Sequence, residues 1–291
     1  MAAEAGARGA GGGLLGRGLR WLGLPLGCLA LVLLFAVALF PYDRFRESAA
    51  SQLRLVTGAR VEIAELAGGL SVGGPALDAL GVRVRWPDGS ALDLERARVR
   101  PAWSLSWLRG RPALGVDARG SLGRLNGTWW PGETGGFEGS LRGVDLSRIP
   151  PSWVGGPFPL EGLADADLDL RMAAGAPRGT IELEAREGSL SMDEMPMAIP
   201  YERLTGQARF GEGGAMEFAD VALDGPMLAA TGGGSIGAAP RLALAPLDLD
   251  LELEVVDANL RPLIRGLGVA LDAGGRARLR ITGSARAPVV R

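Results

Sequence analysis

The sequence has 291 residues, of which 47% are hydrophobic and 22% are charged, so it can bury apolar surface and differs in composition from a disordered chain. It contains no histidine and no lysine. This removes the base of a Ser-His-Asp relay, the phosphate-binding lysine of a Walker loop and the amine of a Schiff base. The net charge of −2 lacks the basic excess that nucleic-acid binding requires. These counts predict a protein that is not an enzyme and does not bind nucleic acid.

The first element in chain order is an uncharged apolar segment over residues 21–40. A helix of this length, at about 1.5 Å per residue, crosses the roughly 30 Å of hydrocarbon in a bilayer. Arg8, Arg17 and Arg20 precede it, and the positive-inside rule then places residues 1–20 in the cytoplasm. We expect a cytoplasmic Gly/Arg-rich tail over 1–20 and a transmembrane helix over 21–40. A signal peptide cleaved after residue 38 is the alternative, because residues 36–38 have the small-x-small form.

The next segment has the pattern of a short amphipathic helix. Apolar side chains at Tyr42, Phe45, Ala49 and Leu53 follow the helical spacing of three and four residues, directly after Pro41. We therefore expect a linking helix over 41–57 that leaves the membrane and contacts the domain beyond it.

From residue 58 onward the apolar period changes to two. In residues 247–255 every odd position is apolar and every even position carries a carboxylate, so one face of this strand is dry and the other is wet. The same alternation recurs at 61–63, 82–86, 166–172, 181–186 and 277–281. Parallel strands covered by helices would be apolar throughout. The pattern predicts a mostly β domain over 58–291, an extended antiparallel sheet with a few short helices.

Segments rich in glycine or proline are interpreted as the turns between these strands. They lie at 87–90, 126–127, 224–226 and 232–234. Two further segments have helical spacing, and we expect short helices at 101–108 and 260–267.

The dry side of the strands is the candidate binding surface, an apolar groove face. Its predicted residues are Leu168, Leu170, Ile181, Leu183, Leu249, Leu251 and Leu253. Since few helical residues are available to cover a sheet of this length, the face either closes on itself in a sandwich or barrel or binds an apolar ligand. Both alternatives stay open at the level of sequence.

The clusters of polar residues do not suggest a catalytic or metal-binding site. Asp165, Asp167 and Asp169 share one solvated strand face, without the partner spacing of a calcium loop or a glycosidase pair. We predict no catalytic, cofactor-binding or metal-binding residue.

Several phrases of the sequence, taken in order, resemble the type II secretion system protein N family. They lie at residues 40–45, 57–61, 99–101, 105–112, 144–150 and 228–236, after the apolar segment. The same features are similar to the broader AsmA-like group of anchored, mostly β proteins, whose curved sheets can form an open apolar groove for lipid.

The resemblance implies an accessory component of the type II secretion system with a structural or interaction role in the export of folded proteins. Such a protein is a single-pass protein of the bacterial inner membrane with its C-terminal domain in the periplasm. Its expected partners are other secretion components of the inner or outer membrane. The AsmA-like alternative implies a module that binds or transfers lipid between membranes, with lipid acyl chains as ligands.

Overall fold

The structure is a computed structural model that describes residues 42–71, 74–87, 89–103, 112–132, 134–149, 160–173, 176–191, 197–239, 244–266, 268–284 and 287–290. Its dominant feature is one antiparallel sheet of fourteen described strands, in which each strand pairs with the next along the chain. The strands are β1 (Arg60–Ser71), β2 (Gly74–Arg85), β3 (Ala91–Pro101), β4 (Leu114–Gly120), β5 (Gly123–Trp130), β6 (Gly136–Asp145), β7 (Leu160–Ala173), β8 (Ala176–Leu190), β9 (Ile199–Phe210), β10 (Met216–Asp224), β11 (Leu228–Ile236), β12 (Pro246–Val255), β13 (Arg276–Ser284) and β14 (Ala287–Val290).

This architecture confirms the predicted mostly β, antiparallel fold. All described strands belong to one sheet, and no hydrogen-bonded pair joins β1 to β14 among them, so the sheet is open. A sandwich of two sheets, one of the alternatives from the sequence, is therefore not formed by the described residues.

Two α-helices accompany the sheet in the part of the chain that the structure describes. Helix α1 spans Tyr42–Thr57, in the segment for which a linking helix is predicted, and the Gly58 N–H donates to the Arg54 carbonyl at 2.9 Å where it ends. Arg46 of α1 donates to the Ala64 carbonyl of the edge strand β1 at 3.0 Å. Helix α2 spans Leu260–Gly266 between β12 and β13.

The predicted transmembrane helix over 21–40 lies outside the described residues. Neither helix of the described part of the chain has the length and apolar character that crossing a membrane requires. The predicted helix at 101–108 lies partly outside as well: Pro101 is the last residue of β3, and residues 104–108 are not described.

Two of the predicted turns are wrong. Residues 126–127 lie inside β5 and residues 232–234 inside β11, whereas the predicted turns at 87–90 and 224–226 do separate strands. The reason is close packing against the neighbouring strand. A Cβ on Gly127 would lie 2.6 Å from Cζ of Phe137, and one on Gly232 would lie 2.7 Å from Cδ2 of Leu251.

Irregular positions bend the sheet. The pairing of β10 shifts register against both β9 and β11 near Asp220, which has a φ of 51°, a left-handed value that is uncommon outside glycine. A similar shift separates Glu161 from Leu163 in the pairing of β7 with β8, close to Glu187, whose φ is 50°. Bulges of this kind increase the local twist and curvature of a sheet.

The buried core is small for a sheet of this size. Among the described residues, half of the buried apolar side chains are alanines, and the largest fully buried ones are Ile199 and Val255. These two belong to a cluster that also contains Leu260 and Ile264 of helix α2. The cluster lies at one end of β7–β12, so compact packing is concentrated there.

Candidate functional site

The predicted groove residues all lie on one face of the sheet. Leu168 and Leu170 lie on β7, Ile181 and Leu183 on β8, and Leu249, Leu251 and Leu253 on β12. The register brings Leu168 opposite Ile181, while the β12 residues lie four strands away from β8, about 19 Å at the usual strand spacing. All seven are partly buried.

Strand register connects the two groups through a continuous row, which we call the middle row. Residues that pair directly across antiparallel strands point to the same face. The middle row consists of Gly68, Leu77, Val99, Val116, Gly127, Gly139, Leu168, Ile181, Ala208, Phe218, Gly234, Leu249 and Ile281. It crosses β1 to β13 with only apolar residues and glycine.

Two further rows on the same face run parallel to the middle row and also consist of apolar residues and glycine. The upper row consists of Pro101, Leu114, Trp129, Phe137, Leu170, Gly179, Phe210, Met216, Ile236, Leu247 and Gly283. The lower row consists of Leu66, Ala79, Ala97, Ala118, Leu125, Leu141, Ala166, Leu183, Gly206, Val221, Gly232, Leu251 and Leu279. We call the three rows together the apolar band.

The apolar band is long and narrow. The middle and lower rows cover twelve strand spacings from β1 to β13, roughly 58 Å, and from β3 to β13 the three rows occupy about 14 Å along each strand. No residue of the band is charged. Most residues of the band are partly buried, so its solvent-exposed area is smaller than the footprint given by these dimensions.

The compact cluster covers only one side of the band. Leu183 and Leu253 pack against the cluster that contains helix α2, whereas the other five predicted residues lie outside it. At the opposite side, Trp129 of the upper row is 45% exposed and Met172 of β7 is 39% exposed. At this side the described residues thus leave Trp129 and Met172 exposed, and the other side chains of the upper row are partly buried.

The other face of the sheet carries the charges. Its arginines and carboxylates form cross-strand pairs, such as Arg142 with Asp167 at 2.6 Å and Arg278 with Glu252 at 2.6 Å. The pairing explains why acidic and basic residues alternate with apolar ones along the strands. It also means that most of these carboxylates neutralise arginines.

One carboxylate of this face is buried. Asp78 on β2 is 9% exposed and accepts hydrogen bonds from Arg98 at 2.8 and 2.9 Å and from Arg96 at 3.0 Å. The bonds from Arg98 lower the pKa of Asp78, against the opposing effect of desolvation. This group is a structural ion cluster that joins β2 to β3.

The aspartates considered for catalysis or calcium binding have structural partners. Asp167 pairs with Arg142, Asp169 lies 3.3 Å from Arg171, and Asp165 accepts the Gly143 N–H at 2.8 Å. Within the described residues, no group of three or more His, Cys, Asp or Glu side chains is arranged to hold a metal ion.

Glycine is the part of the apolar band that sequence reasoning missed. Gly127 and Gly139 pair directly, and the ring of Phe137 lies over both, since Cβ atoms there would be 2.6 and 2.9 Å from Cζ of that ring. Large side chains on one strand thus cover glycines on the next. In the sequence, such a glycine can be recognised because it lies an even number of residues away from the apolar residues of its strand.

The chain matches no family model, no curated protein and no solved structure. The resemblance to the type II secretion system protein N family therefore stays a prediction.

Proposed function

We propose that the chain is a membrane-anchored module that binds lipid acyl chains along its apolar band. The observation that supports the proposal is the band itself, three uncharged rows of which the described residues cover only one side. Exposure of apolar surface to water costs a free energy of about 25 cal/mol per Å². A ligand that is apolar along its length removes this cost.

The dimensions of the band fit acyl chains. Its height of about 14 Å is close to half of the roughly 30 Å hydrocarbon core of a bilayer, which is the depth of one leaflet. One acyl chain can therefore lie along a strand. The band is wide enough to accept several chains side by side.

The energetics favour exchange with a membrane. Each methylene moved from water into an apolar site gains about 0.8 kcal/mol, so an acyl chain hardly enters water. Movement from a bilayer to an open apolar band leaves the chain in an apolar environment throughout. With the predicted span over 21–40 as an anchor in the inner membrane, the band would take lipid from that membrane on its periplasmic side.

The role in type II secretion, first among the predictions from sequence, rests on the resemblance alone. The two roles differ in what covers the upper part of the apolar band. A lipid-binding module would cover it with acyl chains, and an interaction module would cover it with a partner protein. We therefore rank it second and keep it as an outcome of the test.

Photo-crosslinking in cells separates the two proposals. A benzophenone amino acid placed at Leu249 should form lipid adducts, and the same residue placed at Asp250, on the opposite face of the same strand, should not. Leu168 and Asp169 supply a second matched pair on β7. Lipid adducts at the apolar positions only, with normal export of folded enzymes in a deletion strain, are expected.

Adducts to a protein at the apolar positions, together with impaired export in the deletion strain, would favour the secretion role. Equal lipid labelling at both members of each pair would mean that the band does not select the acyl chains.

A further inference from the structure

A second candidate surface lies on the charged face of the sheet, behind the apolar band. Polar positions of β3 to β8 line a cleft of about 1030 Å³. We call it the polar cleft. At one side it is bordered by two tryptophans, Trp103 and Trp130.

Four uncharged hydrogen-bonding side chains line the polar cleft beside five carboxylates and one arginine. Asn126 and Ser140 pair across β5 and β6, and Thr128 and Thr180 line the next row toward the tryptophans. The hydroxyl groups of Thr128, Ser140 and Thr180 make no hydrogen bond within the described residues. They are able to donate to and accept from a ligand.

The carboxylates of the polar cleft already have partners. Glu138 and Asp169 both lie near Arg171, at 3.4 and 3.3 Å, and Asp117 accepts from the Asn126 amide at 3.1 Å. Asp167 pairs with Arg142. Glu182 accepts from the Gln207 amide at 3.1 Å, and one arginine, Arg100, also lines the cleft. An anion would meet five carboxylates against this one arginine, and each carboxylate already has an ion-pair or hydrogen-bond partner, so the cleft favours a neutral ligand.

The tryptophans add a flat apolar surface at the border. The guanidinium of Arg171 lies 4.4 Å from the ring centroid of Trp130, which holds that ring in position. Trp103 is 61% exposed. An aromatic ring beside hydroxyl, amide and carboxylate groups is the combination that a pyranose ring needs, because one of its faces presents C–H groups and its rim presents hydroxyls.

The spacing of the polar groups fits a chain of sugars. Neighbouring strands are about 4.8 Å apart, similar to the repeat of a β-linked pyranose chain. The groups of the polar cleft therefore recur at the interval of one sugar unit. We propose that the polar cleft binds a neutral oligosaccharide that lies across β4 to β8.

The polar side chains of the cleft point to the face opposite the apolar band, although Val116 and Leu168 of the band also line the cleft. The adjacent residues Trp129 and Trp130 give a matched test: Trp129 belongs to the apolar band and Trp130 lines the polar cleft. Their substitutions should separate the two activities.

The test titrates the full chain, in micelles of a detergent without a sugar headgroup, with neutral tetrasaccharides of β-linked glucose, N-acetylglucosamine and galactose. Calorimetry reports binding. Trp130→Ala should weaken the affinity for the bound tetrasaccharide about tenfold, the upper range for loss of an aromatic contact. Trp129→Ala should leave that affinity unchanged and reduce lipid adducts at Leu168, which lies only two strands away from Trp129.

Thr128→Val is a second variant that keeps the shape of the strand and removes one hydroxyl. It should weaken the affinity about fivefold, as expected for one hydrogen bond. Failure of all three tetrasaccharides to bind the full chain overturns the proposal, whatever the crosslinks on the other face. Equal affinities of the chain and of the Trp130→Ala and Thr128→Val variants overturn it as well.

Discussion

Replacement of Gly232 by alanine tests whether glycine is required where β11 lies against β12. The added Cβ would lie 2.7 Å from Cδ2 and 2.9 Å from Cα of Leu251, and closer still to the carbonyl oxygen of Asp250. Overpacking costs about 1–3 kcal/mol, and the upper value applies here because backbone atoms cannot rotate away. In the unfolded chain alanine has fewer backbone conformations than glycine, and this stabilises the folded variant by about 0.4–1 kcal/mol. We expect a net loss of about 2 kcal/mol in the free energy of unfolding.

Gly206→Ala is the matched control in the same lower row. Its Cβ would lie 3.4 Å from Cγ2 of Val221, an ordinary contact, so we expect a gain of about 0.5 kcal/mol. Urea denaturation of the full chain in detergent, followed by circular dichroism, measures both variants. Equal stability of the two variants would refute the reasoning, because close approach would then not explain glycine inside the strands.

Three further predictions concern the two faces and the buried polar groups. Leu251→Asp should destabilise the sheet by several kcal/mol because it places a charge in the apolar band, whereas Glu252→Ala should be nearly neutral; similar effects in urea would mean that the alternation does not face a core. The lowered pKa of Asp78 means that its stabilising effect is complete above about pH 4 and is lost as the pH falls through the folded-state pKa. Asp78→Asn should therefore flatten the acid limb of a stability–pH profile, and an unchanged limb would contradict this role. Tyr201→Phe should cost about 1 kcal/mol in the same urea assay, because the hydroxyl donates to the Glu161 carbonyl at 2.6 Å, and no change would show that this bond contributes nothing.

The alternation of apolar and charged residues was sufficient to predict six of the fourteen described strands, β1, β2, β7, β8, β12 and β13, and their faces. Residues 247–255 illustrate this, since β12 spans Pro246–Val255 with its leucines on the apolar face. The period of two is a local property, and it requires no knowledge of the neighbouring strand. The same holds for helix α2, where Leu260 and Ile264 have helical spacing and are buried.

Glycine could not be interpreted locally. Gly127 and Gly232 look like turn residues in the sequence, but each lies under a large side chain of the next strand, Phe137 or Leu251. Which strand comes next to which, and in what register, depends on the whole sheet. The polar cleft was missed for the same reason, because Trp130 acquires its polar neighbours only through the pairing of β4 to β8.

Native mass spectrometry of the sheet domain, released from the predicted membrane anchor by a protease site inserted after residue 41, tests the central claim most directly. We predict that it carries acyl lipid, and that Trp129→Ala, which removes an exposed apolar side chain of the band, lowers the lipid bound per chain. A folded domain without lipid, or one whose lipid content is the same in the variant, would contradict the account.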